Sequence, residues 1–152
     1  MQTFLPYPDF VKTARILDPR RLGRQRVEAY QILRVLAGLT RGWVNHPAVL
    51  MWRGFEIALS AYMDAMIDEW EARGYRNTMY RVSVPERYEM PPWLGDEAFH
   101  AAHRSNLLRK APEYYRSFWP EEPDDLEYVW PVQASPKSKV QSPKKHRNKK
   151  NR

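Results

Sequence analysis

PRRLGRQRVEAYQILRVL, residues 19–36, decides the architecture. Leu22, Ala29, Leu33 and Leu36 recur at helical spacing and form one apolar face, while Arg21, Arg24, Gln25 and Glu28 fall together on another. One carboxylate thus stands among guanidinium groups. Pro19 suits a first helical turn, where its missing N–H costs nothing. Upstream, Pro6, Pro8 and Pro19 forbid a long early helix. Downstream, GLTRGW (38–43) breaks the pattern, and Asn45-His46-Pro47 reads as the cap and first turn of a long helix ending at Gly74. Its stripe of Phe55, Leu59, Tyr62, Met63, Met66, Ile67 and Trp70 predicts a central helix.

Beyond it, YRVSV (80–84) reads as a short strand and PERYEMPPWLG (85–95) as a Pro/aromatic loop. Asp96 caps a third helix, DEAFHAAHRSNLLRK, closed by Pro112. The aromatic, Pro-rich run that follows is expected to lie irregularly over the helices. The expected fold is all-α: a compact three-helix single domain over residues 1–131 with an aromatic C-terminal segment, then a disordered basic tail over 132–152. With 152 residues and no cysteine, stability must come from packing, and disulfides, Cys-ligated metal and thiol nucleophiles are excluded. The N-terminus has no signal-peptide pattern and no apolar run approaches a membrane span, so a cytoplasmic protein without membrane association is expected.

The net charge of +7 is unevenly placed. Residues 133–152 hold 8 of the 25 Lys/Arg and none of the 18 Asp/Glu, leaving 17 against 18 and a body of −1. Within that body, residues 1–41 carry +5, residues 42–99 carry −4, residues 100–112 carry +3 and residues 113–132 carry −5. A basic face therefore requires the first long helix to meet the segment from His100 to Lys110.

The six glycines are dispersed, so there is no phosphate-binding loop, and no HExxH pattern occurs. His46, His100 and His103 could together ligate a metal, but histidines at such positions more commonly serve as hydrogen-bonding groups, and no metal is assigned. Glu28 is either one member of an exposed ion-pair ladder or a carboxylate held for chemistry. Trp93, Tyr114, Tyr115 and Trp119, interleaved with Arg104, Arg109, Lys110 and Arg116, suit either core packing or stacking on unpaired bases.

Taken as a set, Leu17-Asp18, Leu22, Glu28, Gly38-Leu39-Thr40-Arg41-Gly42-Trp43 and Asn45-His46-Pro47 resemble the pyrimidine-dimer DNA glycosylase family, the phage endonuclease V-like enzymes, in its bacterial and phage branch. HRSNLLRK (103–110) followed by EYYRSFW (113–119) is similar to that family's C-terminal part. The likeness spans roughly residues 1–130. It implies an all-α glycosylase and abasic-site lyase that needs no metal or cofactor and acts as a monomer on double-stranded DNA bearing a damaged or modified base. It also implies an N-terminal α-amine as nucleophile and an essential glutamate six residues after a helix leucine, a spacing that Leu22 and Glu28 keep. As a class, α-amines titrate near 7.7–8.0, so part is neutral and nucleophilic at neutral pH.

The chain begins Met1-Gln2-Thr3, where the well-studied pattern exposes a threonine, so the nucleophile falls on the amine of Met1 or of Gln2. The family's arginine before the glutamate falls on Val27, with Arg26 one step earlier. The expected catalytic set is accordingly Met1, Gln2, Glu28 and His46. The expected DNA-binding set is Arg20, Arg21, Arg24, Arg26, His100, His103, Arg104, Asn106, Lys110, Tyr114 and Tyr115. Two other readings use the same residues: a DNA-binding module without catalysis, and an activity on a flipped modified nucleobase or RNA.

The tail gives a separate expectation. Its unopposed Lys and Arg should add counterion release on any DNA without reading sequence or lesion. Deleting residues 133–152 should lower the slope of log affinity against log salt by up to about 0.9 for each phosphate that the tail neutralises, with lesion preference unchanged. An unchanged slope in a salt titration would show that the tail does not bind DNA.

Overall fold

The computed structural model describes residues 1–132. The expected basic tail, from residue 133, lies outside the described residues. Six helices and no strand occur among the described residues: α1 (Phe10–Ile16), α2 (Pro19–Leu36), α3 (Pro47–Leu50), α4 (Glu56–Ala72), α5 (Glu97–Lys110) and α6 (Pro112–Tyr115). Two aspartates start the first pair. Asp9 accepts the Lys12 N–H at 2.9 Å, and Asp18 caps α2 with Pro19 in the first turn. The short α1 fits between Pro8 and Pro19, a span too brief for its periodicity to stand out in the sequence.

Helix α4 is central, packing against both α1 and α2. It buries Ala58, Leu59, Tyr62, Met63, Met66 and Ile67. Gly23 permits the close approach of α2, because a Cβ there would lie 2.9 Å from the Trp70 ring. The long helix expected from Asn45 is instead divided. Helix α3 stops at Leu50, Gly54 adopts φ 88, and α4 begins at Glu56. The intervening turn drops Trp52 into the core, where its indole N–H donates to Thr3 Oγ1 at 3.0 Å. The strand expected over 80–84 is irregular chain: it has no partner strand, and Arg81 instead pairs with Asp68 and Glu71 of α4 at 2.6 and 2.9 Å.

The C-terminal segment does lie irregularly over the helices. Arg109 donates to the Asp124 and Leu126 carbonyls at 2.6 and 2.7 Å, and Leu126 N–H donates to Ser105 Oγ at 2.9 Å.

The chain's first residues run through the interior. Thr3, Phe4, Leu5 and Pro6 are buried, so their backbone polar groups need partners, and side chains supply them in place of a neighbouring strand. Phe4 N–H donates to Gln25 Oε1 at 2.9 Å, and the Gln25 amide donates back to the Gln2 carbonyl at 3.1 Å. The Tyr62 hydroxyl lies 2.7 Å from the Phe4 carbonyl. Leu5 N–H donates to His103 Nδ1 at 2.9 Å, while His100 Nδ1 lies 2.7 Å from the Leu5 carbonyl. Because His100 Nε2 accepts the Gly95 N–H, its proton sits on Nδ1 and is donated to Leu5. Arg104 donates to the Pro6 carbonyl at 2.8 Å.

Both histidines are held neutral. Burial lowers the pKa of His100, and burial together with the neighbouring His100 lowers that of His103 to about 3. Below the ordinary histidine value of 6.5 the unfolded chain takes up protons that the folded chain does not, so stability falls as pH drops. Thermal midpoints should therefore decline between pH 7 and about pH 5, before most carboxylates titrate. His103→Gln should lower stability at pH 7 yet flatten that decline, and an equally steep decline in the variant would refute the assignment.

Candidate active site

The N-terminal segment ends against α2. Gln2 N–H donates to Glu28 Oε1 at 2.8 Å, and Glu28 Oε2 lies 3.7 Å from an Arg24 guanidinium nitrogen. The Glu28 side chain is only 14% exposed, whereas Arg24 is 71% exposed and free to follow a ligand. Arg21 is anchored on Asp18 at 3.3 Å. Asp18 is fixed in turn by Tyr115, whose hydroxyl donates to its carboxylate and accepts its N–H at 2.9 Å. Burial and that carboxylate push the Tyr115 hydroxyl pKa upward, so it stays a neutral donor.

These groups surround a cavity of about 490 Å³. Met1, Gln2 and Glu28 line it together with Arg20, Arg21, Arg24, His46 and Lys110. Gln2 Oε1 is buried there and accepts no hydrogen bond from the described residues. His46 caps α3, accepting the Ala48 N–H on Nδ1 at 3.0 Å, so its neutral ring carries the proton on Nε2. The cavity is thus cationic at its rim, with one carboxylate beside a main-chain nitrogen. That combination suits a polyanion and offers one carboxylate able to accept a proton.

The expected sets divide in space. Met1, Gln2, Glu28, His46, Arg20, Arg21, Arg24 and Lys110 come together. Arg26 does not: its guanidinium lies 4.3 Å over the Trp70 ring and donates to Asn77 Oδ1 at 2.7 Å. His100, His103, Arg104 and Asn106, expected on the DNA-binding face, are buried and engaged in internal bonds rather than set at the cavity. The two histidines and Arg104 hold the N-terminal segment, and Arg104 also pairs with Glu97 and, at 3.2 Å, with Glu122. Asn106 donates to the Ala102 carbonyl at 2.7 Å and accepts from Arg109. Tyr115 is fully buried and stacks on Trp119 with centroids 5.3 Å apart, and the half-buried Tyr114 packs on both Tyr115 and Phe118. Of the +3 segment, only Lys110 therefore joins the α2 arginines at the cavity. Among the described residues, no three His, Asp or Glu side chains are grouped to share an ion.

The cavity also takes residues that the sequence reading missed. Phe4 and Gln25 form part of its wall, and Tyr128 and Trp130 bring two aromatic rings from the C-terminal segment. Nothing in the EYVWP run distinguishes those rings from Tyr114 or Trp119; which ones reach the cavity is set by the path of the segment over α5. Gln25 was legible as a polar residue on the Glu28 face, but its burial was not.

No helix among the described residues is long and apolar enough to cross a membrane. No curated protein and no solved structure matches the chain. A family model described as pyrimidine dimer DNA glycosylase matches residues 1–81. The matched part, more than half of the chain, contains the N-terminal segment, Glu28, the α2 arginines and His46; the chain belongs to the pyrimidine dimer DNA glycosylase family.

Proposed function

We propose that this protein excises a damaged or modified base from double-stranded DNA and then breaks the strand at the resulting abasic site, with an N-terminal amine as nucleophile and Glu28 as the essential carboxylate. The observation that carries the reading is the 2.8 Å approach of the residue 2 nitrogen to Glu28 at the floor of a cationic cavity. If Met1 is retained, its amine belongs to a residue that lines the cavity; if Met1 is removed, the nitrogen beside Glu28 becomes the α-amine itself.

The neutral amine attacks C1′ of the deoxyribose, the C1′–N bond breaks, and the base departs with the bonding pair and takes up a proton. Glu28 as carboxylate stabilises the cationic sugar in passing. The attached nitrogen gives up a proton, its lone pair forms a double bond to C1′ as the C1′–O4′ bond breaks, and O4′ takes up a proton. The ring-opened iminium ion acidifies C2′, and Glu28 accepts the C2′ proton. Its electron pair forms a C2′–C3′ double bond as the C3′–O bond breaks and the phosphate leaves. Water then hydrolyses the imine and returns the amine. In this reading Arg20, Arg21, Arg24 and Lys110 take phosphates, and His46 contacts the abasic sugar or a phosphate. Tyr128 and Trp130 offer faces for a displaced base. All the groups used come from protein, DNA and water.

Borohydride reduction during turnover tests the proposal. A duplex carrying an abasic site should yield a covalent protein–DNA adduct through the N-terminal residue, and a panel of lesion-bearing duplexes should show which base is removed. An intact protein that binds these duplexes yet gives neither adduct nor strand cleavage would be a DNA-binding module without catalysis.

A further inference from the structure

Helix α2 ends by donating Gly38 N–H to the Val35 carbonyl at 3.0 Å and Leu39 N–H to the Arg34 carbonyl at 2.9 Å, with Gly38 at φ 79. In this paired ending, the residue at the Leu39 position commonly lays an apolar side chain back against the helix. Here the helix residue facing that position is Arg34, and Leu39 remains 64% exposed. Trp43, four residues on, takes φ 70, a left-handed conformation that strains a bulky side chain. Trp43 and Val44 are 38% and 37% exposed. Within one short run, Leu39 thus stands largely in solvent, Trp43 and Val44 each keep more than a third of their surface exposed, and Trp43 does so on strained backbone.

The run is nonetheless held at both ends. The α2 ending fixes its start, and His46, which caps α3, fixes its finish. Trp43 meets the His46 ring edge-on at 5.3 Å, and His46 meets Trp130 at 5.7 Å. The run also borders the site: His46 lines the candidate active-site cavity, and Trp43 lines another of about 240 Å³ with Met1, Arg34 and Thr40. Met1 is common to both.

We infer that residues 39–44 are a wedge that enters the DNA base stack beside the target nucleotide. The inference rests on the proposal that DNA lies in the candidate active-site cavity. The partner is one unstacked base step: Leu39, Trp43 and Val44 replace the missing stacking, and Arg34 and Arg41 take the flanking phosphates. A partly exposed apolar run on strained backbone, with Arg34 before it and Arg41 within it, suits this role because the energy of unstacking is recovered from apolar contact on a nucleic acid that the cationic rim has already drawn in.

The test uses the full chain and a duplex with a tetrahydrofuran abasic analogue next to 2-aminopurine, whose fluorescence rises on unstacking. The unaltered protein should raise that fluorescence several-fold. Leu39→Ser, at an exposed position, and Trp43→Gly, which removes the strain, should each abolish most of the rise while binding to undamaged duplex stays within about threefold. Both should slow cleavage of an abasic site in duplex DNA by about tenfold or more, yet leave cleavage of the same site in single-stranded DNA unchanged, because no stack has to be opened there. An equal fluorescence rise and equal duplex cleavage in the variants, or no rise with the unaltered protein, overturns the wedge. If the unaltered protein cleaves neither duplex nor single strand, the proposed chemistry fails, and the fluorescence arm still decides the wedge.

Discussion

Glu28→Gln is expected to lower base excision by about a hundredfold or more, with DNA affinity within a few-fold of the unaltered protein. The substitution keeps the shape of the side chain, and the amide oxygen can still accept the Gln2 N–H that Glu28 Oε1 accepts at 2.8 Å. The neighbouring Arg24 is largely exposed and 3.7 Å away, so losing its ion pair should cost little stability. The Gln2–Pro6 segment keeps its anchors on Gln25, His103, His100 and Arg104. What disappears, under the proposed mechanism, is a negative charge beside the sugar carbon and the proton acceptor for C2′. Single-turnover excision on the preferred lesion, measured alongside a thermal midpoint, separates these effects. Excision near the unaltered rate in a folded variant would remove Glu28 from the mechanism.

Helix α2 was legible because two independent signals coincide in it. Asp18-Pro19 marks its start, and the apolar spacing from Leu22 onward marks its buried face. Glu28, Arg21 and Arg24 could be placed on one face for the same reason. The Asn45–Gly74 stretch misleads because Met51 and Trp52 continue an apolar pattern through a turn that Gly54 makes, and helical spacing alone does not register a break of that kind. Residues 100–106 fail differently. A basic, histidine-bearing helix reads as a surface, since His, Arg and Asn are seldom buried without partners. The partners here are the main-chain groups of Leu5 and Pro6, about a hundred residues away in sequence. Local pattern carries no information about an extended terminal segment threaded through the core. That segment, legible only as a proline-rich start, is what brings residue 2 to Glu28.

The same threading predicts the effect of altering the terminus. One residue added ahead of Met1 should abolish borohydride trapping and strand cleavage, and acetylation of the amine should do the same without adding a residue. An extended chain cannot restore the geometry by sliding inward. A one-residue slip would misplace the Phe4 N–H from Gln25 and both Leu5 backbone groups from His103 and His100, leaving buried polar groups unpaired at about 1–3 kcal/mol each. The added residue must therefore project into the cavity and carry the amine about 3.3–3.6 Å farther along the chain, past the reach of a sugar carbon positioned for Glu28. Acetylation leaves the register untouched and makes the nitrogen a non-nucleophilic amide, so failure with both changes isolates the amine from any effect of length. If the extended protein still traps, Lys110 is the first nucleophile to test, since its side chain lines the same cavity. Lys110→Arg in the extended background should then end trapping, and that outcome would move the Schiff base from the N-terminus to α5.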